Sequence, residues 1–349
     1  MHIPDGYLSP ATCAALYAGA APFWLVALRR VQATFRARTM PLLSLLSAFS
    51  FVVMMFNLPL PGGTTGHAVG MGVAAVLLGP WASMLALSVA LLIQAVFFGD
   101  GGVTTYGANC LNMAVVGSLV AHAVYRTLTG RSAVAARRRV WAAAFAGYAA
   151  INVSALLAAV EFGIQPALFH DAAGSPLYAP YPLHIAVPAM MLGHLTVAGL
   201  AEGVIAGGLV AWLQKANPLL LQATARPGEN PWRLTRALWG GLAALMIATP
   251  LGLLAAGTAW GEWKAQDFRD QAARQEIAAA SREVAPPIVA PAGLERLASL
   301  WTAPLPDYAP TFLRSASFGY MMSAMFGAGL ITGLFLLFST FTRKCTRTS

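Results

Sequence analysis

The chain has 349 residues, of which 58% are hydrophobic and only 10% charged, and its mean hydropathy is +0.64. That is too apolar for a water-soluble domain and fits an all-α polytopic membrane protein. The net charge of +9 does not point to nucleic acid, because the basic residues form short clusters between apolar runs rather than one basic face.

The chain opens Met1-His2-Ile3-Pro4-Asp5-Gly6 with no basic stretch ahead of an apolar one, so no cleavable signal peptide is expected. Met1 is expected to survive, since a bulky second residue discourages removal of the initiator. Runs long enough to cross about 30 Å of hydrocarbon as helices follow at 8–28, 41–60, 81–98, 107–129, 140–162, 183–214, 237–258 and 317–341. A shorter run, 68–79, ends at Gly79-Pro80.

Lys and Arg in short loops mark the cytoplasmic side. Arg29, Arg30, Arg36 and Arg38 follow the first run; Arg126, Arg131, Arg137, Arg138 and Arg139 follow the fifth; Lys215, Arg226, Arg233 and Arg236 follow the seventh; Arg343, Lys344 and Arg347 close the chain. Every other Lys or Arg falls in 259–316. About nine helices, amino terminus outside and carboxyl terminus cytoplasmic, satisfy every cluster, provided that 68–79 also crosses or re-enters. The division expected is a seven-helix unit over 1–222, a cytoplasmic linker over 223–236 and a two-helix appendage over 237–349. Within the appendage, 259–316 is expected outside, with a short solvated helix over 264–284 and no catalytic constellation.

This topology brings Met1-His2, the segment Pro61-Gly-Gly-Thr-Thr-Gly-His67 and the loop Phe98-Gly-Asp-Gly-Gly-Val-Thr-Thr-Tyr-Gly-Ala-Asn109 to one outer face. A histidine in second place lets one cation take the terminal amine, the His2 backbone nitrogen and His2 Nδ1. Three nitrogens then lie near a plane, and His67 is the candidate fourth. Such a square suits Ni(II) or Cu(II), whereas zinc prefers a tetrahedron. Asp5, Thr64, Thr65, Asp100 and Asn109 are candidates to orient the rings from behind. The three cysteines, Cys13, Cys110 and Cys345, have no CxxC spacing and imply no disulfide framework.

Met1-His-Ile-Pro-Asp-Gly-Tyr-Leu-Ser-Pro10, Gly63-Thr-Thr-Gly-His67, Gly101-Gly-Val-Thr-Thr-Tyr-Gly-Ala-Asn109 and Leu111-Asn-Met-Ala-Val-Val-Gly117 strongly resemble the CbiM/NikM family over about residues 1–215. These are substrate-capturing membrane components of energy-coupling-factor uptake transporters. The resemblance implies Ni2+ or Co2+ as transported substrate, held through Met1, His2 and His67. It also implies a transmembrane coupling subunit (NikQ/CbiQ-like), ATPase subunits (NikO/CbiO-like) and a bacterial inner membrane. The Gly-Thr-Thr-Gly-His loop is similar to the nickel branch more than the cobalt branch. Gly257-Thr-Ala-Trp-Gly-Glu-Trp263, Pro291-Ala-Gly-Leu-Glu295 and Ala303-Pro-Leu-Pro-Asp-Tyr308 resemble the two-helix NikN/PDGLE accessory subunit, here fused. Ala292 departs from the Pro-Asp-Gly-Leu-Glu pattern of that subunit.

His184 and His194 lie ten residues apart, do not share a helix face and read as structural. His122 and His170 carry no motif. Glu202, an ionisable group inside a membrane helix, is expected to meet a partner near the cytoplasmic side. Neither HExxH nor a phosphate-binding GxxxxGK[ST] loop occurs, so the chain is not expected to be an enzyme and needs ATPase partners for uphill transport. The rival readings are a stand-alone metal channel or secondary carrier and, further off, a membrane metalloenzyme. A carrier usually holds ion-binding acids mid-membrane, where only Glu202 is expected.

Overall fold

The computed structural model describes residues 1–33, 39–221, 231–309 and 312–345. Ser9 and Pro10 begin the first helix, α1 (Pro10–Ala33): the Ser9 hydroxyl accepts the Thr12 N–H at 3.1 Å, and Pro10, having no N–H to satisfy, opens the first turn. Next come α2 (Thr39–Met54), the strands β1 (Leu58–Leu60) and β2 (Thr64–Gly66), and α3 (Met71–Leu78). Gly79, at φ 75°, ends α3, and Pro80 starts α4 (Pro80–Ile93), which closes with a π turn at Gln94–Phe98. A continuous apolar rod runs from α5 (Tyr106–Asn109) through a π segment, Cys110–Gly117, into α6 (Ser118–Thr129). The long α7 (Arg137–Leu168) follows, then α8 (Leu183–Gly193) and α9 (Gly199–Ala216), joined by a π turn at His194–Ala198.

The rear part comprises α10 (Pro231–Ala248), two short helices, α11 (Gln271–Ala280) and α12 (Ala292–Leu297), and α13 (Ala316–Cys345). Asp270 caps α11 by accepting the Ala273 N–H at 2.8 Å, so the expected solvated helix exists in shortened form. Residues 222–230 of the expected linker lie outside the described residues, as do Arg36, Arg38, Arg226 and Arg347. The remaining linker positions, 231–236, already belong to α10.

Of the nine expected crossings, seven are helices long and apolar enough to span a membrane: Pro10–Gln32, Pro80–Phe98, Tyr106–Thr129, Arg137–Leu168, Leu183–Ala216, Thr235–Leu254 and Ala316–Phe338. The other two are shorter. Met40–Met54 falls just below span length, and α3 has 8 residues, about 12 Å of helix. The hairpin β1–β2 lies just ahead of the expected third crossing, 68–79, and α3 fills most of that crossing, buried from Met71 to Ala75.

Helices α6, α8 and α9 pack around α7, while α10 and α13 rest on α2. Contact at the centre is close because the residues there are small. A Cβ on Gly72 would stand 2.8 Å from the Gly147 Cα and 2.9 Å from the Ala206 Cβ, the small-residue packing by which membrane helices associate. Outward faces carry Leu200, Val204, Ile247 and Leu254, all more than 60% exposed. At one end, Arg30 lies 5.3 Å over the Trp81 ring, and Gln214 Nε2 donates to the carbonyls of Val134 and Ala136. The amino terminus gathers with the His67 arm at the other end.

Candidate metal centre

Residues 1–3 thread into the protein: Met1, His2 and Ile3 are 4%, 1% and 0% exposed. The Ile3 backbone is clamped on both sides. Its N–H donates to Asn109 Oδ1 at 2.8 Å. Its carbonyl accepts from Asn109 Nδ2 at 3.1 Å, from Gly102 N at 2.9 Å and from the Thr105 hydroxyl. Asp5 grips the same loop, accepting the N–H groups of Val103 (3.1 Å) and Thr104 (2.7 Å) and the Thr104 hydroxyl. Only glycine fits at 102, where a Cβ would meet the Asp5 nitrogen at 2.4 Å.

His67 follows a hairpin that pattern reading passed over as a loop. Leu58 pairs with Gly66 and Leu60 with Thr64, and Gly62 and Gly63 turn at φ 86° and 75°. The Pro61-Gly-Gly turn between short alternating segments was the available signal. The arm brings the His67 ring to 5.0 Å from the His2 ring, centroid to centroid, tilted by 33°. His67 Nδ1 lies 3.0 Å from the Ala68 carbonyl, which can only accept, so Nδ1 carries the proton and Nε2 presents a lone pair. Burial, then the His2 ring and the terminal amine, push the His67 imidazole down to about 3; it is neutral at physiological pH.

The second imidazole meets a carboxylate. His2 Nδ1 lies 2.7 Å from Asp100 Oδ1, although neither ring nitrogen of His2 has a hydrogen bond of proper direction. Asp100 Oδ2 accepts from the Tyr308 hydroxyl at 2.5 Å and from Gln94 Nε2 at 3.1 Å. Burial works to raise the Asp100 carboxyl, but His2 and the hydrogen bonds around it win and hold it well below the usual carboxylate range. The Met1 amine faces Glu262 Oε1 at 3.7 Å. Burial pushes Glu262 up, against the pull of that amine. A cavity of about 710 Å³ opens onto His67, Asp100, Glu262 and Tyr308.

Met1, His2 and His67 thus converge. Of the five residues expected behind them, only Asp100 reaches a ring. Asp5 and Asn109 hold backbone; the Thr64 hydroxyl reaches only the Pro61 carbonyl, at 3.5 Å; Thr65 is buried and its backbone pairs with Pro59 and bridges to Ala259. Pattern reading missed Glu262, Tyr308 and Gln94. The first two come from the rear segment, which was expected to stand outside with no catalytic constellation; it closes over the site, the Tyr7 hydroxyl donating to the Trp263 carbonyl at 2.7 Å and Leu294 packing on Gly6.

Glu202 corrects its expectation. It is fully buried and turned toward the His67 arm, where it accepts N–H groups at the start of α3. Nor is it the only acid among the membrane helices: Glu161 on α7 is buried and accepts from Asn112 Nδ2 at 2.8 Å. His194 Nδ1 donates to the Met190 carbonyl, 2.8 Å away, consistent with a structural place.

Among the described residues no three His, Cys, Asp or Glu side chains form a metal-ligating group. A cation taken here therefore needs backbone and terminal nitrogens beside the two imidazoles, a donor set suited to a planar d8 or d9 ion.

Residues 2–220 match the family described as the cobalt uptake substrate-specific transmembrane region, and 234–344 match the PDGLE domain. The chain is 61% identical over 331 residues, 95% of each chain, to the fused nickel transport protein NikMN of Rhodobacter capsulatus. It is 47% identical, over 79% of its length and 82% of the relative's, to a probable fused nickel transport protein LarMN of Lactiplantibacillus plantarum. It is 33% identical to a cobalt transport protein CbiM of Geobacter sulfurreducens over 72% of each chain. A crystal structure described as a transition metal transporter shares 49% identity and superposes with a TM-score of 0.58 over 62% of this chain and 93% of that one. The chain belongs to the cobalt uptake substrate-specific transmembrane family, joined to a PDGLE domain, a family of metal transport proteins and not of enzymes.

Proposed function

We propose that this protein captures Ni2+, and Co2+ less tightly, as the substrate-specific component of an ATP-driven energy-coupling-factor transporter in a bacterial inner membrane. The cation is held by the Met1 amine, the His2 backbone nitrogen, His2 Nδ1 and His67 Nε2. The observation that carries this reading is the convergence of two buried imidazoles, 5.0 Å apart, beside the chain's first amine.

The chemistry follows from the donors. A neutral His67 needs no proton removed. His2 Nδ1 must leave Asp100 to bind, and Asp100 then remains beside the cation as a nearby negative charge. An ionised amide in a planar set favours low-spin Ni(II); Co(II) gains less from the plane, and Cu(II), though favoured by raw affinity, is selected against by availability. Names of relatives lean both ways, to nickel and to cobalt.

Nine crossings with the site outside remain the best topology, with 68–79, which contains α3, as the short third crossing. Irregular backbone at membrane depth is tolerated where protein buries it. Residues 1–222 would form the capturing unit and 237–349 an accessory unit closing over it. A NikQ/CbiQ-like coupling subunit and NikO/CbiO-like ATPases supply the work.

Uptake of radioactive nickel by cells expressing the chain with and without those partners tests the reading. Accumulation above the external level only with the ATPases is expected. Equal accumulation without them would favour a stand-alone channel or carrier.

A further inference from the structure

Glu202, on α9, is a carboxylate inside the membrane helices with no exposed surface, and among the described residues it has no ion-pair partner within 4.0 Å. Instead Oε2 accepts the N–H groups of Val69 at 2.7 Å and Gly70 at 2.8 Å, while Oε1 accepts that of Gly72 at 3.0 Å. These are orphan donors at the start of α3 and in the link just ahead of it, where a negative charge is favoured.

Glycine on each neighbouring element makes room. Gly70 turns at φ 81°, and a Cβ on Gly147 of α7 would stand 3.2 Å from the Glu202 Cγ. Three elements therefore meet on one carboxylate, and the segment it grips begins two residues after His67. The intervening residue, Ala68, supplies the carbonyl that fixes the His67 ring through Nδ1, at 3.0 Å.

We propose that Glu202 is the positioning residue of the His67 arm: by anchoring Val69, Gly70 and Gly72 it fixes the Ala68 carbonyl, which in turn aims His67 Nε2 at the cation. The proposal rests on the assignment of His67 as a ligand. A charge-free side chain cannot substitute. Glutamine of the same shape turns one of the two acceptors into a donor, so that an NH2 group faces a backbone N–H. Residues behind a metal-bound histidine typically change affinity by about 10- to 100-fold when altered.

The test is a double-mutant cycle on the full chain in detergent, reading the Ni2+ dissociation constant and the visible absorption of bound Ni2+ for wild type, Glu202→Gln, His67→Ala and both together. Expected are a loss of about tenfold or more for Glu202→Gln alone, less than about twofold when His67 is already alanine, and a Glu202→Gln spectrum shifted toward that of His67→Ala. Equal losses in both backgrounds, or no loss in the single variant, overturn the proposal. If His67→Ala alone leaves affinity unchanged, the ligand assignment falls and takes the positioning role with it, a failure told apart by that one arm. Where Glu202→Gln does not give folded protein, Glu202→Asp, which keeps the charge but reaches one methylene less far, is read in the same cycle against the same outcomes.

Discussion

His67 is the residue on which sequence and environment act most plainly together. Burial first, then His2 and the terminal amine, hold its imidazole at about 3, whereas an unfolded chain would protonate it near 6.5. Between those values the unfolded chain binds the additional proton, so this residue makes folded stability fall as pH is lowered through that window. Asp100, held below the usual range, adds a loss in the same direction once pH drops toward an ordinary carboxylate value. Thermal unfolding in detergent should therefore fall more between pH 7 and pH 4.5 in the wild type than in His67→Ala. Metal binding moves with pH the same way, because the amine and the backbone amide must give up protons to ligate. Calorimetry in buffers of different ionisation enthalpy should detect protons released on binding, and none released would contradict the site. His67→Ala should weaken Ni2+ binding by at least about a hundredfold, since a ligand matters more than the residues behind it.

At the scale of elements, the arm that carries His67 depends on how closely α3 approaches α7. A methyl group at Gly72 would press on the Gly147 Cα and the Ala206 Cβ, at 2.8 and 2.9 Å, and neither neighbour has a flexible side chain that can turn away. Gly72→Ala should destabilise the protein by about 1–3 kcal/mol, as overpacking does. It should also weaken metal binding, which thermal unfolding and metal titration would read separately. The long apolar runs were legible because span length and composition are local properties, and the helix boundary at Gly79-Pro80 was visible for the same reason. The hairpin and the 8-residue α3 were not. The hairpin's one local mark is its Pro61-Gly-Gly turn, and the start of α3 is held by Glu202, 130 or more residues away, a partner so remote that hydropathy along the chain cannot register it.

For the whole molecule, the amino terminus and His67 could be singled out as candidate ligands because register and residue type carry that chemistry. Asp100 was legible as a neighbour, but its grip on His2 was not. Glu262 and Tyr308 were invisible in the sequence, since nothing in the pattern of 259–316 shows that this segment folds over residues 1–9 rather than into solvent. The cover has a consequence. A chain ending at residue 222 should fold and still bind Ni2+, because all four proposed ligand nitrogens remain. The metal should leave it faster, with the cavity walls from Glu262, Trp263 and Tyr308 removed. Stopped-flow chelation of bound Ni2+ from the full and shortened chains compares the two rates, and equal rates would show that the cover does not control exchange.

The central claim is that the first amine, the second residue and His67 hold one cation together, and register tests it more directly than any side-chain deletion. Inserting one alanine between Met1 and His2 keeps every original side chain but lets the terminus offer four nitrogens of its own, displacing His67. Nickel uptake by cells carrying the insertion, at equal membrane levels and with the coupling and ATPase subunits present, should fall to background, while a carboxyl-terminal extension leaves it intact. Uptake unchanged by the insertion would contradict the account.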